Sequence, residues 1–325
     1  MTTKNDRPHV ALMESIHPAG IEILTRHCNL DRMPSQDNEE FANILARADA
    51  IIVRSTPFTE EMMKRAPRLK IIGRHGAGTD NIDLSAAEKL GIKVVTTPRA
   101  NTESVAEYVI TVALMLLKRI PEVTTSLRNG EFSSGAGSLP GQVDRAGLVG
   151  RDAHGIRLGL IGAGGIGAAV AQRALGMGMR VAAYDPFLDP AKERSFELLD
   201  DLDELLSRSD IVSLHVPGGP KSHHLIGLRE LELLPPGAIL INAARGELVD
   251  QEALISALRA GRLSGAALDV YSSEPPDPNL EIFSAPNLIL TPHMAAMTED
   301  ALKRMSTDVT TQVIEVLGQV QPDLF

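Results

Sequence analysis

The sequence predicts a two-domain α/β protein built on parallel sheets, and three observations carry that reading. Short β-branched and apolar runs alternate with helical periodicity along nearly the whole chain, as βα units do. The chain has 325 residues, enough for about two domains of roughly 100–200 residues each. One long apolar helical stretch, near Ser104–Lys118, separates an earlier set of βα units from a later one. Two doubly wound domains with a cleft between them are therefore expected.

The elements follow in order. His9–Met13, Ala50–Val53, Leu69–Ile72 and Lys93–Val95 are the early strands. Between them, Asn38–Ala48 and Leu84–Leu90 have helical periodicity, and Gly91 stops the latter at a C-cap position. Asn101 and Thr102 precede the apolar helix as capping residues. The glycine-rich segment Ser133–Gly155 lacks periodicity and reads as a long loop. A second strand series comprises Arg157–Ile161, Val181–Tyr184, Ile211–Leu214, Ala238–Asn242, Ala266–Asp269 and Leu288–Leu290. Thr298–Leu317 closes the chain as a long amphipathic helix.

Composition narrows the class. With 32 Lys and Arg against 42 Asp and Glu, the net charge is −10, which disfavours nucleic acid and anionic membrane as partners. The single cysteine, Cys28, has no intramolecular disulfide partner, so a reducing, cytoplasmic setting is expected. The opening MTTKNDRPHV lacks the apolar core of a signal peptide. The most apolar run, Val105–Leu117, contains Glu107 and is shorter than the roughly 20 residues that span a bilayer. No metal site is expected.

The strongest chemical signal is RLGLIGAGGIGAAVAQRAL, where Gly162, Gly164 and Gly167 form G-x-G-x-x-G between a strand and a helix. Such a turn lets the backbone approach a pyrophosphate, and the helix N-terminus then faces the anion. Asp185 ends the next strand 18 residues after Gly167, near the spacing at which an acid meets the adenosine ribose. A carboxylate there repels a 2′-phosphate, so NAD is expected rather than NADP.

Three later segments, INAARGELVD, ALDVYSSEPP and TPHMA, place Arg245, Glu274 and His293 near strand ends, where doubly wound sheets bind ligands. Singly they could be a helix cap, a loop acid and a turn histidine. Together they suit hydride transfer to a 2-keto acid. A guanidinium grips the carboxylate, an imidazole exchanges a proton near neutral pH, and a carboxylate orients it.

In these motifs the chain resembles the D-isomer-specific 2-hydroxyacid dehydrogenases, phosphoglycerate dehydrogenase included, from near Ala50 to the C-terminal helix. The matching pieces are VRST, GRHGAGTDNIDL, NTESVAEY, GLIGAGGIG, YDP, LHVP, NAARGELVD, GAALDVYSSEP and TPHMA. The resemblance implies that Arg245, Glu274 and His293 are catalytic, with His293 as acid/base and Glu274 as its partner. It implies that the loop His75, Gly76, Ala77 and Gly78 holds the substrate carboxylate through backbone N–H groups. Arg54, with Ser55, closes an apolar strand beside that loop and is a further substrate candidate, or else a surface arginine paired with an acid. It assigns the cofactor to Gly162, Gly164, Gly165, Ile166, Gly167, Asp185, His215, Val216, Pro217, Ala243 and Asp269, with Thr97 and Thr102 near the nicotinamide. It further implies a Rossmann NAD-binding domain, 102–289, inserted into a flavodoxin-like substrate domain, 1–101 completed by 290–325. A small 2-keto or 2-hydroxy acid would be the substrate. A homodimer would form through the nucleotide domain, with the helix at 104–118 crossing the interface.

Some positions depart from the family pattern. His75 stands where many relatives have a small residue, Gly218–Gly219 follow LHVP where a bulkier residue and a threonine are frequent, and Arg99 replaces a frequent glycine. The loop 133–144 matches nothing in the pattern. Arg54, with Arg245 and a donor from His75, offers more positive charge than one carboxylate needs, which points to a second anionic group on the substrate. Two other readings compete. One is an NAD-sensing, co-repressor-like interaction protein, disfavoured by the lack of a peptide-recruiting extension. The other is a hydrolase of the adenosylhomocysteine type, whose cysteine and lysine constellation is missing.

Overall fold

A computed structural model of the protein describes residues 7–35 and 37–318. It has two parallel sheets, each in its own compact unit. The first unit comprises residues up to Thr102 together with those from Ala296 onward, and the second is Glu103–Ala295. The N-terminal stretch read for a leader lies mostly outside the described residues, as Met1–Asp6.

The first sheet contains β1 (His9–Leu12), β2 (Asn29–Arg32), β3 (Ala50–Val53), β4 (Ile71–Arg74) and β5 (Lys93–Val95), in the order β2-β1-β3-β4-β5. This is the flavodoxin-like order. All of β3 is buried, and the helix Glu299–Val316 packs Val309, Val313 and Ile314 with Val10, Ile52 and Ile71 in one apolar cluster. Fully burying such a side chain contributes about 1.5–3 kcal/mol. Thr298 caps that helix, its hydroxyl accepting from Ala301 N at 3.2 Å.

The second sheet contains β6 (Arg157–Ile161), β7 (Arg180–Tyr184), β8 (Glu197–Leu199), β9 (Ile211–Leu214), β10 (Ala238–Asn242), β11 (Leu263–Leu268) and β12 (Leu288–Leu290). Its order is β12-β11-β10-β9-β6-β7-β8, all parallel. This is the doubly wound nucleotide-binding order extended by one strand. The helix Thr102–Leu117 buries Val105, Ala106, Val109, Val112, Ala113, Leu116 and Leu117 within this part of the molecule.

The differences from the sequence reading have local causes. β2 and β8 were not expected: they are edge strands, NLDR and ELL, whose exposed sides remove the apolar run. β4 begins two residues late and ends on Arg74, and β11 spans Leu263–Leu268, because glycines inside both strands blur the apolar run. The expected loop at 133–155 contains a helix, Leu139–Arg145, with Ser138 as cap and Pro140 in its first turn. Gln142 ties that segment together, bonding Ser133 N at 3.0 Å and Ser133 O at 3.1 Å. Asn101 and Thr102 do not cap the apolar helix: Asn101 Oδ1 and Thr102 Oγ1 are buried without a hydrogen-bond partner among the described residues.

Candidate active site

In the second unit the C-terminal ends of six neighbouring strands release the residues that carry chemistry. β6 runs into Gly162, where φ is +89° and an added Cβ would lie 2.7 Å from His215 O. Gly167 is equally constrained, because its Cβ would strike Gly162 O. The helix Gly165–Gly176 starts with Gly164 as N-cap and no side-chain acceptor for its first N–H groups. Nothing lies within 4 Å of a Cβ placed on Gly164, so an anion has room there. Asp185 follows β7; Oδ2 accepts from Ala163 N at 2.9 Å and Oδ1 from Phe187 N at 3.1 Å. Each oxygen retains lone pairs for a ribose hydroxyl. These residues fit a dinucleotide by shape and by donor chemistry.

The ends of β9 and β10 complete that edge. His215 Nε2 lies 3.0 Å from Ser213 Oγ, and desolvation pushes its imidazole down to about 4, keeping it neutral. Val216 is half-buried and Pro217 exposed. Buried Asn242 fixes the turn after β10, its Oδ1 accepting from Ala244 N at 3.0 Å and its Nδ2 donating to Arg245 O at 2.8 Å. That turn orients Ala243 and Arg245, whose Nη1 donates to Ala244 O at 2.6 Å.

The ends of β11 and β12 hold a histidine–carboxylate pair. His293 Nδ1 lies 2.6 Å from Glu274 Oε2, and Glu274 Oε1 accepts from Tyr271 N at 3.1 Å. A carboxylate only accepts, so Nδ1 carries the proton and Nε2 is left as the ring's acceptor nitrogen. Burial raises the Glu274 pKa, but the His293 bond, the Tyr271 N–H and the nearby Arg245 charge outweigh it and leave the group below its ordinary value. His293 occupies the left-handed region at φ +53°. Asp269, fully buried, enforces this turn: its backbone O accepts His293 N at 2.7 Å, while its carboxylate accepts Met294 N and Ala295 N, each at 2.8 Å.

The family description "D-isomer specific 2-hydroxyacid dehydrogenase, NAD binding domain" matches residues 110–295. A glyoxylate reductase of Thermococcus gammatolerans is 37% identical over 325 residues, covering 98% of this chain and 96% of that one. The chain belongs to the D-isomer specific 2-hydroxyacid dehydrogenase family. A D-3-phosphoglycerate dehydrogenase of Methanocaldococcus jannaschii is 39% identical over 311 residues, 95% of this chain. The chain spans only 57% of that relative, and 54% of a D-3-phosphoglycerate dehydrogenase of Synechocystis. Among solved structures, a D-lactate dehydrogenase of Aquifex aeolicus in complex with NAD and lactic acid superposes with a TM-score of 0.82 at 33% identity, covering 95% of this chain and 96% of that one.

The first unit of this family member has its own polar strand ends. Arg54 follows β3 and donates from Nη2 to the Met297 thioether at 2.8 Å, a weak acceptor. Among the described residues its guanidinium makes no ion pair with a carboxylate. The backbone beneath it is held by Glu14, which accepts Arg54 N at 2.9 Å, Ser55 N at 2.6 Å and Thr56 N at 2.6 Å. Burial opposes the Glu14 charge, and these three N–H donors still bring its pKa below the ordinary value. Thr97 Oγ1 accepts Gly76 N at 3.0 Å and so supports the loop His75–Gly78.

One expectation needs correction. His75 adds no positive charge, because burial and then the neighbouring Arg54 and Arg74 charges push its imidazole down to about 4. It is 2% exposed. The cation beside Arg54 is instead Arg74, which bonds His75 O. The glycines at 218 and 219 also find their reason: Glu247 accepts Gly219 N, and a Cβ on Gly218 would meet Glu247 and come within 3.2 Å of Arg245 Cγ.

Sequence reasoning missed Glu14, Asn242, Glu247 and Thr291 as supports, and read Asp269 only as lining the cofactor. For Asn242 and Asp269 a signal existed, since each is a polar residue ending an apolar strand. Glu14 gave none, because its partners lie 40 or more positions away.

Proposed function

We propose that the protein is an NAD-dependent D-2-hydroxyacid dehydrogenase that interconverts a 2-keto acid and a D-2-hydroxy acid. The hydrogen bond from His293 Nδ1 to Glu274 Oε2 at 2.6 Å carries this reading, because it fixes the tautomer that frees Nε2 for proton exchange. NAD supplies or accepts the hydride when bound. In reduction, His293 donates its Nε2 proton to the substrate oxygen and Glu274 stabilises the imidazolium. In oxidation His293 takes that proton back. Arg245 holds the substrate carboxylate and polarises the carbonyl. The glycine turn, with Gly162, Gly164, Gly165, Ile166 and Gly167, takes the pyrophosphate, and Asp185 the ribose. His215, Val216, Pro217, Ala243 and the segment at Asp269 line the cofactor, with Thr97 and Thr102 near the nicotinamide. We assign the nucleotide to the domain 102–289, which also carries Arg245 and Glu274, and the other substrate contacts to 1–101 completed by 290–325.

Arg54, Ser55 and the loop His75–Gly78 bind substrate in the same reading. Arg54 has a thioether where an anion would serve it better, and Arg74 stands beside the same loop. A substrate with a second anionic group, phosphoglycerate-like or sulfolactate-like, satisfies that charge. The test follows NADH consumption with dianionic and monoanionic 2-keto acids in wild type and Arg54→Ala. Wild type should favour the dianion, and the variant should lose most of that preference. Equal discrimination in both proteins removes Arg54 from the second anion. Absence of any NADH oxidation across the panel instead favours the co-repressor-like reading.

The reading includes a cytoplasmic homodimer. The helix at 104–118 spends most of its apolar stripe internally, and several exposed apolar side chains follow it in the chain, at Ile120, Leu127, Leu139 and Val149. Light scattering should give twice the chain mass for wild type and a monomer for Leu127→Asp with Leu139→Asp.

A further inference from the structure

We propose that Tyr108 and Tyr271 are positioning residues for His293, acting through Thr291. The inference rests on His293 being the proton relay. Tyr108, on the helix Thr102–Leu117, places its hydroxyl 2.6 Å from Thr291 Oγ1, and Thr291 Oγ1 donates to Asp269 Oδ1 at 2.6 Å. The direction of this chain is fixed by its end. Every partner of the Asp269 carboxylate is a donor, so Thr291 spends its one hydroxyl proton on it. Thr291 then accepts from Tyr108, giving a one-way relay of dipoles from Tyr108 O–H to Thr291 O–H to the Asp269 carboxylate. Tyr271 holds the same residue from the other side, donating from its hydroxyl to Thr291 O at 3.1 Å.

Thr291 is two residues before His293, and Asp269 Oδ1 is shared between Thr291 Oγ1 and Met294 N. Fixing Thr291 therefore fixes the carboxylate that enforces the left-handed conformation at His293. Such a conformation is costly in a residue with a side chain and needs surroundings that over-determine it. Tyr271 reaches the pair twice, since its backbone N–H also orients Glu274. Hydrogen bonds in a chain polarise one another, so loss of the terminal hydroxyl weakens the bonds beyond it. Desolvation, with the Asp269 charge adding to it, pushes the Tyr108 phenol up to about 12, which keeps it a donor.

Phenylalanine keeps the ring packing and removes only the hydroxyl. Tyr108→Phe and Thr291→Val should each lower kcat about 3- to 10-fold, leaving KM for the keto acid and the Kd for NADH unchanged. The double variant should be no slower than the worse single one, because both break one chain. In the protein without ligands, the downfield His293 Nδ1–H resonance, assigned by its loss in His293→Asn, should exchange faster with solvent in Tyr108→Phe and Tyr271→Phe. If His293→Asn abolishes turnover while these variants keep wild-type kcat and Nδ1–H exchange, the positioning role is overturned and the relay stands. Additive losses in the double variant overturn the chain as well. If His293→Asn turns over normally, the relay reading fails, and unchanged Nδ1–H exchange then overturns the positioning role independently.

Discussion

The second sheet carries an aspartate at each end, half-buried Asp210 and fully buried Asp269, and the two are neutralised in different ways. At the N-terminal end Asp210, just before β9, receives Arg157 through Nε at 2.9 Å and Nη2 at 3.1 Å, with Arg151 Nη2 at 3.4 Å. At the C-terminal end Asp269, just after β11, has no cation among its partners. It is met by a hydroxyl and two peptide N–H groups, all from the turn that carries His293. A guanidinium at Asp210 closes the strand ends and leaves nothing for a ligand. Dipoles at Asp269 hold a charge without using a cation. The difference separates a charge spent on stability from a charge spent on geometry.

The largest expected effect lies at the C-terminal end and concerns turnover alone. His293→Asn should lower kcat by about two to four orders of magnitude with little change in NADH affinity or melting temperature. Stopped-flow kinetics and NADH fluorescence titration measure both. A variant that retains near-normal turnover breaks the assignment of this end to catalysis.

Asp269→Asn should affect both properties at once. The amide presents N–H₂ where a carboxylate oxygen had accepted a peptide N–H, leaving a buried donor without a partner at a cost of about 1–3 kcal/mol. With the turn loosened, kcat should fall roughly tenfold or more by the same geometric argument. Denaturant unfolding and kcat together test it. Full activity with lowered stability would place Asp269 in the same class as Asp210 and erase the contrast.

Asp185→Ala sharpens the comparison at the cofactor edge. Its carboxylate also bonds peptide N–H groups, at Ala163 and Phe187, but keeps lone pairs open. Removing it should weaken NADH binding about tenfold, the value of one hydrogen bond to a charged group, and narrow the preference over NADPH. A wild type that already prefers NADPH contradicts the assignment outright.

These contrasts were only partly legible in the sequence. The glycine turn, Asp185, Arg245, Glu274 and His293 stood out because each follows an apolar strand, and strand ends in a parallel sheet share one edge. The strand pattern gave both sheets apart from β2 and β8, whose edge positions relax the need for apolar residues on both faces. The short helix Leu139–Arg145 was hidden by surrounding glycines. What the sequence withheld is second-layer support. Glu14 reaches Arg54 across 40 residues, and Tyr108 reaches Thr291 across 183. Such pairs arise from the stacking of elements, to which no local pattern responds. The charge of His75 was misread for a related reason: burial decides it, and burial of a loop residue is a tertiary property.

The smallest effect belongs to Asp210 and has a distinct pH signature. Burial alone would raise its pKa, but the Arg157 side chain and N–H, with the Arg151 charge, hold it down at about 2. A depressed folded-state value means that the ion pair contributes stability above the ordinary aspartate value of 3.8 and loses it as pH falls to about 2. Arg157 is 45% exposed and the Asp210 side chain 13%, so solvent screens the pair and about 1 kcal/mol is expected at neutral pH. Asp210→Asn should therefore unfold about 1 kcal/mol more easily than wild type at neutral pH, and the gap should close on acidification through that window. Turnover should be unchanged, since Asp210 lies at the end of the sheet opposite His293. Urea titrations of both proteins across the pH range measure the gap. A difference that persists at pH 2, or a loss of turnover, would show that Asp210 does more than close the strand ends.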